Sequence, residues 1–173
     1  MSNNIAIATR TFEQLARHPN IVGCKLSHGD VSKHTQIASS PRIDHDHFHT
    51  FTGLGQQLVP VLTVGGAGAI DGLAGVFPKC LVNLFNTWQD NPGDLKRLRQ
   101  LQYKVSAGEE LVVKHQAVGI KEAVSRILGM GDRDGTRLPL KGGFPGGDTE
   151  WKEWEGVMGV LQALEDTLPE VAR

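Results

Sequence analysis

The chain has 173 residues, 39% of them apolar and 21% charged, which is enough to bury a core in one soluble domain or two small ones. A formal net charge of −1 offers no broad cationic footprint for nucleic acid or an anionic membrane and leaves a small uncharged or anionic molecule as the partner to expect. No window approaches the ~18 consecutive apolar residues that span a bilayer, the start MSNNIAIATRTFEQ lacks a signal-peptide pattern, and Cys24 and Cys80 sit far apart within apolar runs, so the expectation is a cytoplasmic protein with free thiols.

Thr11 and Gln14 have capping-box spacing, and Phe12, Leu15 and Ala16 share one helical face, which predicts a short helix over 11–18. His18-Pro19-Asn20 ends it, and the apolar run IVGC with Lys25 behind it reads as a strand over 21–25. From Asp30 a weaker amphipathic helix carries Val31, Ile37 and Ala38 as far as Pro41. Residues 47–52 alternate as a second strand, and GQQLVPVLTVGG reads as a buried helix kinked or broken at Pro60. GAIDG at 68–72 is a short glycine-flanked strand, and Pro78 opens a helix whose Leu81, Leu84, Phe85 and Trp88 keep the i, i+3, i+4, i+7 spacing. Three strand-helix units in a row predict a parallel sheet covered by helices.

Beyond Asn91-Pro92-Gly93 the pattern turns helical. Leu95, Leu98, Leu101 and Val105 form one stripe, Ile120, Ala123, Val124, Ile127 and Leu128 a second, and Trp151, Trp154, Met158 and Leu161 a third. The glycine- and proline-rich run between the second and third stripes reads as a long ordered loop. The expected organisation is a strand-bearing part over 1–90 and a helical subdomain over 91–173.

Lys25 is the residue that raises a chemical question, because a lysine at a strand end either snorkels to water or is put to use. In water an amine with a pKa near ~10.4 is unprotonated in about one molecule in two thousand at pH 7, and burial can lower that pKa by up to ~3–5 pH units, far enough for attack on a ketone. Asp44-His45-Asp46-His47-Phe48-His49 suggests a metal, since alternate histidines on an extended segment share a face. It has no downstream His or Cys partner at zinc-like spacing and reads as a solvated turn; neither a metal nor a cofactor is expected. Gly65-Gly66 and Gly68 lack the spacing of a phosphate-binding loop and suit close packing of helix on strand.

HPNIVGCKLSHGD resembles the sixth-strand segment of the dihydrodipicolinate synthase and N-acetylneuraminate lyase family, which commonly reads like HPNIVGIKDSSGD. The likeness runs on through FTGLGQQLVPVLTVGGAGAIDGLAGVFPKCLVNLF, LKRLRQLQ and GIKEAVSRILGMG. It implies an α/β fold: a partial (β/α)₈ barrel with segments like strands six to eight, followed by a C-terminal helical subdomain. It also implies that Lys25 forms a Schiff base with a 2-oxo acid, and that the backbone at Gly53 and Ile70 faces the bound keto acid. His28, on the loop after the lysine, is a candidate to bind substrate or exchange protons with it. The run Cys24-Lys25-Leu26-Ser27-His28 and the segment IDHDHFHTF look most like members that act on 4-hydroxy-2-oxoglutarate or 2-keto-3-deoxy sugar acids, releasing pyruvate and an aldehyde.

Leu26 and His28 depart from the commoner Asp and Ser, which bears on the substrate. Complete barrels have roughly 250 residues; the resemblance supplies no counterpart of the family's Tyr or Thr-Thr pair, and Tyr103 falls in a tail helix. Three parallel strands without closure leave open edges, so the chain is expected to form a homo-oligomer or to associate with a full-length relative. The alternative is a truncated, non-catalytic member or an incomplete gene model that associates through those edges.

Overall fold

The computed structural model describes residues 5–170, and in it the first strand of a three-stranded sheet, expected over 21–25, runs from Gly23 to Leu26 and so includes Lys25. Packing divides the chain into two compact units, Met1–Asp71 and Gly72–Arg173.

In the first unit the order is α1 (Thr9–Leu15), β1 (Gly23–Leu26), α2 (Val31–Ala38), β2 (His49–Thr52), a 3₁₀ turn (Gly55–Gln57), α3 (Leu58–Thr63) and β3 (Gly68–Ala69). α1 begins two residues before Thr11 with no side-chain cap, so the expected capping box does not form. Instead the Thr9 hydroxyl donates to Gln36 Oε1 at 2.8 Å and accepts from Lys33 Nζ at 3.0 Å, tying α1 to α2. Asp30 caps α2, its carboxylate accepting from Lys33 N at 3.1 Å. Pro60 breaks nothing: it lies in the first turn of α3, where a missing N–H leaves no helical bond unmade.

The strands are parallel in the order β1-β2-β3, with Lys25 opposite Phe51 and Phe51 opposite Gly68. The alternation of strand and helix patterns predicts this arrangement, but the third strand is shorter than expected. Only Gly68 and Ala69 are strand; Ile70 adds one more bond, its N–H donating to Thr52 O at 2.8 Å, before the chain turns away. One sheet face carries Cys24, Leu26, Thr50 and Thr52, and it packs on Phe12, Ala16, Ile37, Ile43 and Phe48 from the helices and their connections. Its partner face carries Gly23, Lys25, His49 and Phe51; there Lys25 and His49 are exposed and Phe51 is half-buried. At Gly23 the strands approach so closely that a Cβ would overlap the His49 carbonyl.

The second unit holds a 3₁₀ turn (Leu73–Gly75), α4 (Pro78–Asp90), α5 (Leu95–Leu128) and α6 (Gly147–Thr167). The first two tail stripes share α5, which is interrupted at Gln116 by a non-helical backbone with φ of 50°. α4 packs on α5 and α6 and therefore groups with the tail, so the boundary along the chain falls between Asp71 and Gly72, whereas the change in sequence pattern falls near residue 91. The anchor is Glu165 of α6, whose carboxylate accepts from the backbone N–H of Lys79 at 2.9 Å and of Cys80 at 2.8 Å, at the amino end of α4. The long loop before α6 is held by Glu122, which is 2% exposed and accepts from Phe144 N at 2.8 Å and from Arg126 Nε at 2.7 Å. No helix among the described residues is long and apolar enough to cross a membrane.

Candidate active site

Lys25, Gly53 and Ile70 come together at the carboxyl ends of the three strands: Lys25 within the last turn of pleat of β1, Gly53 directly after β2 and Ile70 directly after β3. The ladder extends to hold them, with Gly53 N–H donating to Leu26 O and Ile70 N–H to Thr52 O, both at 2.8 Å. Gly53 is bare for a steric reason. A Cβ there would overlap the Ser27 hydroxyl and fall 2.6 Å from Lys25 Cε, so the absence of a side chain at Gly53 makes room for both. Ile70 is 52% exposed.

The expected dry pocket around the lysine is not made by this chain, since Lys25 is exposed and among the described residues its side chain enters no hydrogen bond or ion pair. The reason is geometric: Lys25 stands on the sheet face opposite the helices, and burial there needs a covering that the three strands do not provide.

His28 is also exposed, but its loop is fixed. Its Nδ1 accepts from Asp30 N–H at 3.0 Å, and Gln57 Nε2 donates to Gly29 O at 2.7 Å. Asp30 O accepts in turn from His34 Nδ1 at 2.9 Å, and the two imidazole rings lie 5.4 Å apart. Partial burial, then the His34 ring, holds the His28 pKa below the ordinary histidine value. With Nδ1 occupied as an acceptor, the neutral ring carries its proton on Nε2, which makes that atom a donor. No hydrogen bond or ion pair among the described residues joins His28 to Lys25.

Ser27 was given no role from the sequence, yet it stands against Gly53 beside the lysine. The signal available was strand alternation, since position 27 falls on the side of position 25. Behind the lysine, Cys24 packs into the covered face 4.0 Å from Thr50 Oγ1, and burial raises its thiol pKa. The Asp-His segment is engaged in its own turn: His45 Nε2 donates to Ser40 O at 3.0 Å, His47 Nε2 to His18 O at 3.4 Å, and Asp44 Oδ1 accepts from Asp46 N–H at 3.1 Å.

A parallel sheet backed by helices, with a lysine and a glycine at its carboxyl tips, defines an α/β protein with its candidate site where such sheets place their ligands. Residues 2–143 match the Dihydrodipicolinate synthetase family, and the chain belongs to that family. It is 35% identical over 128 residues to the 4-hydroxy-tetrahydrodipicolinate synthase of Methanoculleus marisnigri, covering 73% of this chain and 42% of that protein. It is 32% identical over 133 residues to the L-threo-3-deoxy-hexylosonate aldolase of Hypocrea jecorina, covering 74% and 41%. With the Emericella nidulans protein named "Probable 4-hydroxy-2-oxoglutarate aldolase, mitochondrial", it shares 30% identity over 119 residues, covering 69% and 37%. Its fold matches that of the 4-hydroxy-tetrahydrodipicolinate synthase from Methylacidiphilum fumariolicum with a TM-score of 0.78 at 23% identity, over 92% of this chain and 52% of that one. The chain thus spans about half the length of the relatives it matches.

Proposed function

We propose that the chain carries the imine-forming part of a class I aldolase that cleaves a 2-oxo acid into pyruvate and an aldehyde, with Lys25 as the nucleophile. In this reading β1, β2 and β3 are strands six to eight of a (β/α)₈ barrel, and the exposed sheet face is its lumen. The supporting observation is the convergence of Lys25 Cε and the Ser27 hydroxyl over the bare Gly53 at the carboxyl tips of parallel strands.

The chemistry follows from the amine. Unprotonated Lys25 Nζ adds to the ketone carbon, the carbinolamine loses water, and the resulting iminium draws electrons from the bond between C3 and C4. That bond breaks, the C4 hydroxyl proton departs to a base and the aldehyde leaves. The enamine left on the lysine takes a proton at carbon, and water hydrolyses the iminium to free pyruvate and lysine. Gly53 and Ile70 offer backbone to the keto acid, and His28 Nε2–H is suited to donate to an oxygen of the substrate. The names of the fungal relatives support 4-hydroxy-2-oxoglutarate or a 2-keto-3-deoxy sugar acid as the substrate. Pyruvate release from each, measured with the chain and with Lys25→Ala, tests this: release lost in the variant supports the reading, and equal release from both contradicts it.

The exposure of Lys25 favours a second reading, in which the chain alone is non-catalytic and associates through the open face and edges of its sheet. A monodisperse monomer by size exclusion at micromolar concentration would count against it.

A further inference from the structure

A groove of about 290 Å³ lies on the first unit away from the lysine, lined by Arg10, Glu13, Gln14 and Arg17 from α1 and the residues just after it, and by Arg42 between α2 and β2. α1 is amphipathic in charge as well as in hydropathy. Phe12 and Ala16 face the core, while Arg10, Gln14 and Arg17 recur at i, i+4 and i+7 and so share the outward face. Three guanidinium groups therefore surround one carboxylate, and that carboxylate is already engaged: Glu13 Oε1 accepts from the Ser40 hydroxyl at 3.1 Å and Oε2 from Arg42 Nη1 at 3.3 Å. Among the described residues neither Arg10 nor Arg17 has an ion-pair partner, and both are exposed.

We propose that this groove binds a small anion carrying two or more negative charges, a phosphate ester or a polycarboxylate. A guanidinium presents a planar fork of donors that fits two oxygens of a phosphate or a carboxylate, and a multivalent anion can engage Arg10 and Arg17 together while Gln14 supplies an amide donor between them. The Glu13 carboxylate is held by Ser40 and Arg42 at one side of the groove, and a ligand with a single charge engages only one of the two remaining guanidinium groups. The site is distinct from the proposed lysine chemistry. Arg17 and Arg42 lie in connections that enter β1 and β2 at their amino ends, whereas Lys25, Gly53 and Ile70 stand at the carboxyl ends.

Calorimetric titration of the full chain with pyrophosphate and with citrate, in sodium chloride at matched ionic strength, tests this. The expected result is saturable one-site binding that weakens about tenfold or more in Arg10→Gln and in Arg17→Gln and is unchanged in Lys96→Gln, an exposed basic position on α5. Tighter binding of pyrophosphate assigns the site to phosphate esters, and tighter binding of citrate assigns it to polycarboxylates. Circular dichroism of the variants checks that they fold. No saturable binding, binding undiminished in folded Arg10 and Arg17 variants, or an equal loss in Lys96→Gln would overturn the assignment.

Discussion

At the scale of single residues, the site depends on an atom that is missing. Gly53 leaves space that the Ser27 hydroxyl and Lys25 Cε occupy, so Gly53→Ala must push one or both aside. Displacement of about 1 Å at a reacting group can cost up to ~10²-fold in rate. The expectation is that Gly53→Ala slows imine formation on Lys25 by roughly 10- to 100-fold with little change in melting temperature; an unchanged rate in the variant contradicts this packing role. His28 supplies a pH test. Its pKa is held below the ordinary histidine value, so the unfolded chain binds more protons at position 28 as the solution acidifies, and its contribution to stability is present above the ordinary value and lost as pH falls through the lowered one. The melting temperature of the wild type is expected to fall more than that of His28→Gln between roughly pH 7 and 5, and parallel profiles would sink the idea. The strand that carries Lys25 was legible in its apolar run, whereas the proposed role of the lysine came from the resemblance of the whole HPNIVGCKLSHGD segment, since spacing alone fits a lysine snorkelling to water equally well or better. The tautomer of His28 was not, since it depends on the N–H of Asp30 reaching Nδ1, a detail of loop geometry that residue order does not encode.

At the scale of elements, hydropathy located most helices and strands, and chemistry from far along the chain completed them. Pro78 and the spacing of Leu81 and Leu84 announce α4, but nothing near position 78 announces its cap. Glu165 reaches it from 86 residues away and satisfies two backbone donors that the first turn of any helix leaves open. Glu165→Ala is expected to destabilise the second unit by about 1–3 kcal/mol, the cost of leaving buried donors unpaired, read from urea unfolding followed by helix signal. A loss below a few tenths of that would show that water replaces the carboxylate. Local pattern was right about α5 and wrong about the start of α1, each for an identifiable reason. The separate stripes over 95–105 and 120–128 fall on two helical stretches of α5, which the non-helical backbone of Gln116 separates. The capping box at Thr11 was a coincidence of spacing, as the contacts of Thr9 with α2 set where α1 begins.

At the scale of the molecule, the order of strand and helix patterns was enough to predict a parallel sheet, because such alternation leaves few other ways to bury the apolar faces. Enclosure of the lysine was not predictable from the same evidence. A strand pattern says which side chains share a face, but not whether anything covers that face; here the helices cover the side of Cys24 and Leu26 and leave Lys25 open. The proposed aldolase chemistry therefore turns on whether this exposed amine, set over Gly53 at the strand tips, still condenses with a keto acid. The direct measurement is intact and peptide mass spectrometry after incubation with pyruvate and borohydride, which reduces an imine to a stable secondary amine. The account predicts a single reduced pyruvate adduct on Lys25, absent in Lys25→Ala. No adduct at saturating pyruvate, or adducts spread over the surface lysines without preference for position 25, would contradict it.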